Sequence, residues 1–193
     1  CESRIIDYLK SALPDYDLVL VSDFGHGFIT DKIIKAIGRY SRIFAVNTQT
    51  NAANTGYNMI TKYHNTNFVC LDETEARLAT QERFTDIKEV GQKIIRSIKA
   101  DHLIITLGKK GSIGFNREDV TNVTPVFSTK VVDTVGAGDA FFAFTAPCFA
   151  QGMPLDLVSF IGNAVGALAV QIIGNKKPVE KYELLQFISS ILK

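Results

Sequence analysis

LVLVSDFGHGFITDKIIKAIGRYSRIFAV, residues 18–46, decides the fold class. The continuous apolar run at 18–22 reads as a strand buried on both faces. Thr30 followed by Asp31 opens a helix, with Ile33, Ile34 and Ile37 on its apolar face. IFAV at 43–46 is the next strand. A strand, a helix and a second strand in so short a span make a crossover unit, whose two strands run parallel. Upstream, Ile5, Ile6, Leu9 and Leu13 recur at helical spacing until Pro14 stops them. Downstream the alternation repeats, with strands at 68–71 (FVCL) and 103–107 (LIITL) and helices near 73–80 and 86–98. Short strands at 112–116 and 122–127 follow a glycine-containing turn and are expected as an antiparallel edge. From 138 onward the pattern is helical: 138–151, 155–173 and 179–191. The expectation is a single α/β domain over 1–193, a mostly parallel sheet between helical layers.

At 193 residues with 46% hydrophobic and 21% charged residues, the chain is able to bury its own core, which excludes disordered and fibrous classes. Its 21 basic and 20 acidic residues give a net charge of +1, so there is no electrostatic footprint for nucleic acid or an anionic membrane surface. Any anionic ligand has to be held locally. Cys1, Cys70 and Cys148 are odd in number and lack CxxC spacing, which reads as reduced thiols of a cytoplasmic protein. The most apolar stretch, Ala137 to Met153, is interrupted by Asp139, Pro147, Gln151 and Gly152 and is too short for a membrane span. It is expected as a buried helix.

The chemistry concentrates in DTVGAGDAF, residues 133–141. Gly136 and Gly138 free several backbone N–H groups to point one way at the start of a helix, where the dipole adds partial positive charge. That arrangement binds phosphate. Asp139, directly behind, is out of place in a simple anion site but suits a base that takes a proton from a hydroxyl attacking the phosphate. On spacing alone a second reading stands beside it: an acidic residue in a first helical turn after a tight turn. Two other phosphate motifs are excluded, since Phe141 stands where GxGxxG needs its third glycine and GxxxxGK[ST] is absent.

DTVGAGD followed by AF resembles the signature of the PfkB, ribokinase-like carbohydrate kinases. The resemblance implies a three-layer αβα sandwich, Asp139 as catalytic base, and Gly136, Ala137 and Gly138 as the anion hole for the γ-phosphate. IITLGKKGSIGF, residues 104–115, is similar to the family's nucleotide segment, implying ATP contacts at Thr106, Gly108 and Gly111. Asn163 falls where the family places an Asn near adenine; it equally suits helix packing among Gly162, Ala164, Gly166 and Ala167. Asp72 and Glu75 match the family's NxxE with Asp in place of Asn, implying a role in placing Mg²⁺. The same spacing also makes a capping box. Asp133 and the carbonyl of Val135 fall where relatives hold a monovalent cation such as K⁺, and they also suit a turn.

The segment from Ser22 to Gly27 resembles SDYGKG of the heptose-phosphate kinase branch, with His26 in place of Lys. A lone loop histidine is given no catalytic role. The resemblance makes Asp23 a substrate candidate. Asn47, Thr48, Gln49, Thr50, Asn51 and Asn54 occupy the place of that branch's Asp-Pro-Lys, with Asn47 also a substrate candidate. Amides and hydroxyls suit sugar hydroxyls, and they suit surface loops as well.

The resemblance covers essentially the whole chain, and it implies that roughly a hundred or more N-terminal residues, with the first strands and a small β lid, are missing. The expected activity is ATP-dependent phosphorylation of a sugar or sugar-phosphate hydroxyl, weak in this segment alone. Mg²⁺ is the expected cofactor, a homodimer the expected assembly, and the branch adds a fused or associated nucleotidyltransferase domain. A nucleotide-binding homologue without turnover is the alternative. A dinucleotide enzyme is disfavoured by Phe141 and by a glycine motif late in the sheet.

Overall fold

The computed structural model describes residues 1–118, 120–127 and 130–193, without the side chains of Val120, Thr121 and Asn175. Six strands form one sheet whose spatial order equals chain order: β1 Val19–Asp23, β2 Phe44–Thr48, β3 Phe68–Asp72, β4 His102–Thr106, β5 Ser112–Asn116 and β6 Val120–Thr124. The first four are parallel and the last two antiparallel, as the sequence pattern requires. Helices α1 Glu2–Ala12, α2 Asp31–Tyr40, α3 Glu73–Thr80, α4 Ile87–Ile98, α5 Ala137–Ala150, α6 Leu155–Ala169 and α7 Lys181–Ile191 complete the chain.

Alternation of side chains across the strands builds two cores. On one face Val21, Val46, Val69, Leu71, Leu103 and Ile105 pack with Ile33 and Ile37 of α2 and Ile94, Ile95 and Ile98 of α4. On the other face Ala45, Phe68, Cys70 and Ile104 meet Phe141, Phe142 and Ala146 of α5 and Val158 of α6. The result is a three-layer αβα sandwich. The stretch around Asp139 is thus a core helix; among the described residues no helix is long and apolar enough to cross a bilayer. All three cysteines are free thiols, Cys70 buried and Cys1 exposed.

Three features differ from the sequence pattern. The strand at 18–22 was expected to be covered on both faces, yet only Val21 and Asp23 are buried and Leu20 is 43% exposed. β1 is the sheet edge, and α5 and α6 cover the interior strands on Leu20's side. By contrast the first helix does stop ahead of Pro14, at Ala12, and Pro14 opens a separate 3₁₀ turn, Leu13–Asp15, because its missing N–H is one of those a helix start leaves unused. The expected strand 122–127 stops at Thr124, where Pro125 ends the ladder. The helix expected over 155–173 stops at Ala169. The next carbonyl, of Val170, turns aside to accept N–H groups from Val132 and Asp133 at 2.8 and 3.0 Å. That contact seats the glycine loop on the helical layer.

Candidate active site

The loop between Val132 and the first turn of α5 lies at the carboxyl ends of the parallel strands, where ligands bind in open α/β sheets. Asp133 organises it: Oδ1 accepts the N–H of Val135 at 3.0 Å and Oδ2 that of Gly174 at 2.8 Å. These backbone donors hold its carboxyl below the usual range. Gly136 then caps α5 with φ at 77°, a left-handed conformation that a residue with a Cβ adopts only under strain. A Cβ on Gly138, by contrast, would meet nothing within 4 Å. Packing does not demand that glycine, and its lack of a side chain leaves room above the helix N-terminus.

That room belongs to a cleft of about 530 Å³ lined by Asp72, Thr106, Gly108, Gly111, Gly138 and Asn163, among others. Residues up to 91 positions apart in sequence thus meet in one place. Gly111 is required by geometry: its φ is 93°, and a Cβ there would sit 2.0 Å from the Thr124 carbonyl oxygen. Thr106 closes β4 and reaches the Leu71 carbonyl at 3.4 Å. Asn163 lines the cleft from α6 while its amide nitrogen donates inward, to Ser112 Oγ at 2.8 Å and to the Ser159 carbonyl at 3.1 Å. Asn163 thus lines the cleft and ties α6 to β5.

Asp72 and Glu75 form a reciprocal capping box on α3: the Asp72 carboxylate accepts the Glu75 N–H at 2.7 Å, and the Glu75 carboxylate accepts the Asp72 N–H at 2.8 Å. Glu75 Oε1 also accepts the Thr50 N–H at 3.2 Å. Burial raises the Glu75 carboxyl to about 7, with Asp72 and Asp139 adding repulsion that the two backbone bonds only partly offset. Asp139 itself is backed by protein on one side; burial pushes its carboxyl up, and a hydrogen bond from the Gln49 side chain opposes that. Three carboxylates therefore share one negative zone beside the glycine loop. Among the described residues no three metal-ligating side chains cluster tightly enough to cage an ion.

The acceptor-side candidates lie deeper than the sequence suggested. Asp23 is 3% exposed, and its carboxylate is fully engaged by Gly25 N–H at 2.9 Å, the Tyr63 hydroxyl at 2.6 Å and the Lys62 ammonium at 2.6 Å. Burial alone would raise its carboxyl; these partners outweigh burial and hold it below the usual range. Asn47 is likewise buried and donates to the Cys70 carbonyl at 2.9 Å. Lys62 and Tyr63, the partners of Asp23, carried no sequence signal, since they follow no motif and stand forty positions away. Gln49 did stand in the amide-rich stretch that takes the place of the resembled branch's Asp-Pro-Lys.

The pfkB family of carbohydrate kinases is matched over residues 41–181, a span that holds the whole site apart from Asp23. The chain belongs to that family. Among curated relatives, the bifunctional protein HldE of Koribacter versatilis is 25% identical over 190 residues, covering 97% of this chain and 38% of that protein. HldE of Citrifermentans bemidjiense is 25% identical over 176 residues, covering 90% and 36%. Among solved structures, Escherichia coli phosphofructokinase-2 in complex with potassium superposes with a TM-score of 0.81 at 18% identity, over 99% of this chain and 62% of that one. Arabidopsis thaliana ribokinase complexed with ribose and ATP gives 0.74 at 22% identity, over 94% and 58%. The fold is thus ribokinase-like, and the pfkB-family chain spans less than two fifths of the length of these curated relatives and about three fifths of these solved structures.

Proposed function

We propose that this chain carries the nucleotide site and the catalytic base of an enzyme that transfers the γ-phosphoryl group of ATP to a hydroxyl of a sugar or sugar phosphate. The observation that carries the reading is the placement of Asp139 in the first turn of α5, which Gly136 caps, next in the chain to Gly138, which lines a cleft together with Thr106, Gly108, Gly111 and Asn163. In this reading the N–H groups of Gly136 and Gly138, joined by that of Ala137 once it leaves its 3.3 Å bond to the Thr134 carbonyl, stabilise the charge on the transferring phosphoryl group. Asp139 removes the proton of the attacking hydroxyl. The upward push on its carboxyl raises its affinity for the proton it takes from the acceptor. A dimeric assembly, a cytoplasmic location and an attached nucleotidyltransferase domain belong to the same reading, the last supported by relatives described as bifunctional.

The residues fit a divalent cation held jointly with nucleotide phosphates. A half-buried Glu75 whose carboxyl is raised to about 7, next to Asp72, is a carboxylate short of positive charge. Mg²⁺ is commonly held by one or two carboxylates, with phosphates and waters filling the rest of its shell. Glu75 and Asp72 would hold it, and when bound it neutralises charge on the phosphates. A K⁺ ion would lie against Asp133 and the Val135 carbonyl, where the carboxylate is kept ionised by two N–H donors. Asp23 and Asn47 serve the acceptor side from beneath, as supports of the loops that face it.

The test is an assay of the full-length protein with Mg²⁺·ATP against a panel of sugars and sugar phosphates, measuring acceptor-dependent ADP release. Asp139→Asn is expected to lower the rate on the order of 10² to 10⁴-fold. A near-normal rate in that variant refutes the assignment. ATP binding with no acceptor-dependent ADP release would favour the homologue without turnover.

A further inference from the structure

Gln49 follows directly on β2, and its main chain is fixed from several sides. Its N–H donates to the Asp23 carbonyl at 2.8 Å, and its own carbonyl accepts Asn58 Nδ2 at 3.1 Å and Asn54 Nδ2 at 3.3 Å. Those amides are anchored in turn. Asn54 Nδ2 also donates to the Phe24 carbonyl at 2.9 Å, and Asn58 Nδ2 to the Asp23 carbonyl at 2.7 Å. Asn58 Oδ1 accepts from Lys62 Nζ at 2.7 Å, the ammonium that pairs with the buried Asp23. The packing is tight enough that a Cβ on Gly25 would lie 2.2 Å from Asn54 Nδ2. An amide-rich loop suited to sugar recognition is thus largely spent on bracing one residue. From that braced position the Gln49 side-chain amide donates to Oδ1 of Asp139, ninety residues further on.

We propose that Gln49 is a positioning residue for the base: its side-chain amide, held by the Asn54 and Asn58 clamp, engages Oδ1 of Asp139 and leaves Oδ2 to take the acceptor proton. The proposal rests on the kinase reading above for its purpose, while the contact itself is independent of it. A hydrogen-bond donor on a carboxylate favours the ionised form and fixes its plane. A neutral amide does so more mildly than an ammonium would. Among the described residues, Glu75 on α3 and the buried Cys70 on β3 lie in electrostatic range of Asp139, with Asp72 beside them.

Two measurements test this with Gln49→Met, which keeps length without the donor, and Gln49→Lys, which restores one. In the full-length enzyme, Gln49→Met is expected to lower kcat on the order of tenfold by loosening the base, with KM for ATP unchanged. The acidic limb of the pH–rate profile should move to higher pH, and Gln49→Lys should recover most of kcat. In this chain, ¹³C NMR of the Asp139 carboxyl should show its titration midpoint rising in Gln49→Met. A midpoint that stays put in a folded Gln49→Met variant, or a loss of kcat that Gln49→Lys does not restore, overturns the proposal. A midpoint that rises while Asp139→Asn keeps its rate overturns the base assignment and leaves the contact standing.

Discussion

Replacing Glu75 by Gln should make the nucleotide-free chain more stable at neutral pH and leave it unchanged in mild acid. The Glu75 carboxyl is raised from its ordinary 4.5 to about 7 by burial first and by repulsion from Asp72 second. A carboxyl raised in the folded state binds its proton more tightly there than in the unfolded chain. Stability therefore falls as pH rises from about 4.5, and the full penalty is reached above about 7. At about 1.4 kcal/mol per pH unit, the rise corresponds to roughly 3 kcal/mol as an upper bound. Gln is neutral throughout and can still accept the Asp72 N–H, so the capping box survives. The assay is urea unfolding of both proteins at pH 4.5, 6 and 8 without divalent cations. The expected difference is near zero at pH 4.5 and grows to a few kcal/mol in favour of Glu75→Gln at pH 8. His102, held below its usual value first by burial, is present in both proteins and cancels in the difference. Equal stabilities at pH 8, or a difference largest in acid, would refute the reasoning.

Two other predictions address the scaffold. Gly111→Ala forces a Cβ onto backbone at positive φ and should cost about 2–4 kcal/mol in thermal or denaturant unfolding, while weakening binding of a nonhydrolysable ATP analogue measured by calorimetry. Asp23→Asn removes the buried partner of Lys62 and should destabilise the chain by about 2–3 kcal/mol near pH 7. Because the Asp23 carboxyl is held low, that contribution is present above its ordinary value near 4 and is lost as pH falls further. Wild type and Asp23→Asn should therefore converge in strong acid, as read by unfolding curves at pH 3 and pH 7.

What the sequence made legible followed from periodicity and from local motifs. The buried strands IFAV, FVCL and LIITL announce themselves by unbroken apolar runs, and Thr30–Asp31 marks a helix start by a cap that the structure repeats in the Ile33 N–H to Thr30 Oγ1 bond. The run at 18–22 looked the same as the others but belongs to an edge, because apolar content does not report whether a neighbouring layer reaches a strand. The turn from loop to helix at Gly136–Asp139 was legible because one short segment holds it all. Asp23 was visible as a residue yet opaque as to role: its partners Lys62 and Tyr63 arrive through tertiary packing, which leaves no spacing to read. The Gln49–Asp139 bond spans ninety positions and two different layers, so it belongs to the same class.

Strand order equal to chain order has a consequence for how the molecule comes into being. Each strand pairs with the one made just before it, so the sheet is able to grow by simple addition as the polypeptide leaves the ribosome. All six strands precede residue 125, whereas Asp139 and the helices that cover Ala45, Phe68, Cys70 and Ile104 come later. One face of the newborn sheet therefore waits bare until α5 and α6 emerge to cover it. The same event that hides this greasy surface brings Asp139 to Gln49 at the end of β2, so a nascent chain gains its cover and the geometry of this corner in a single closing step.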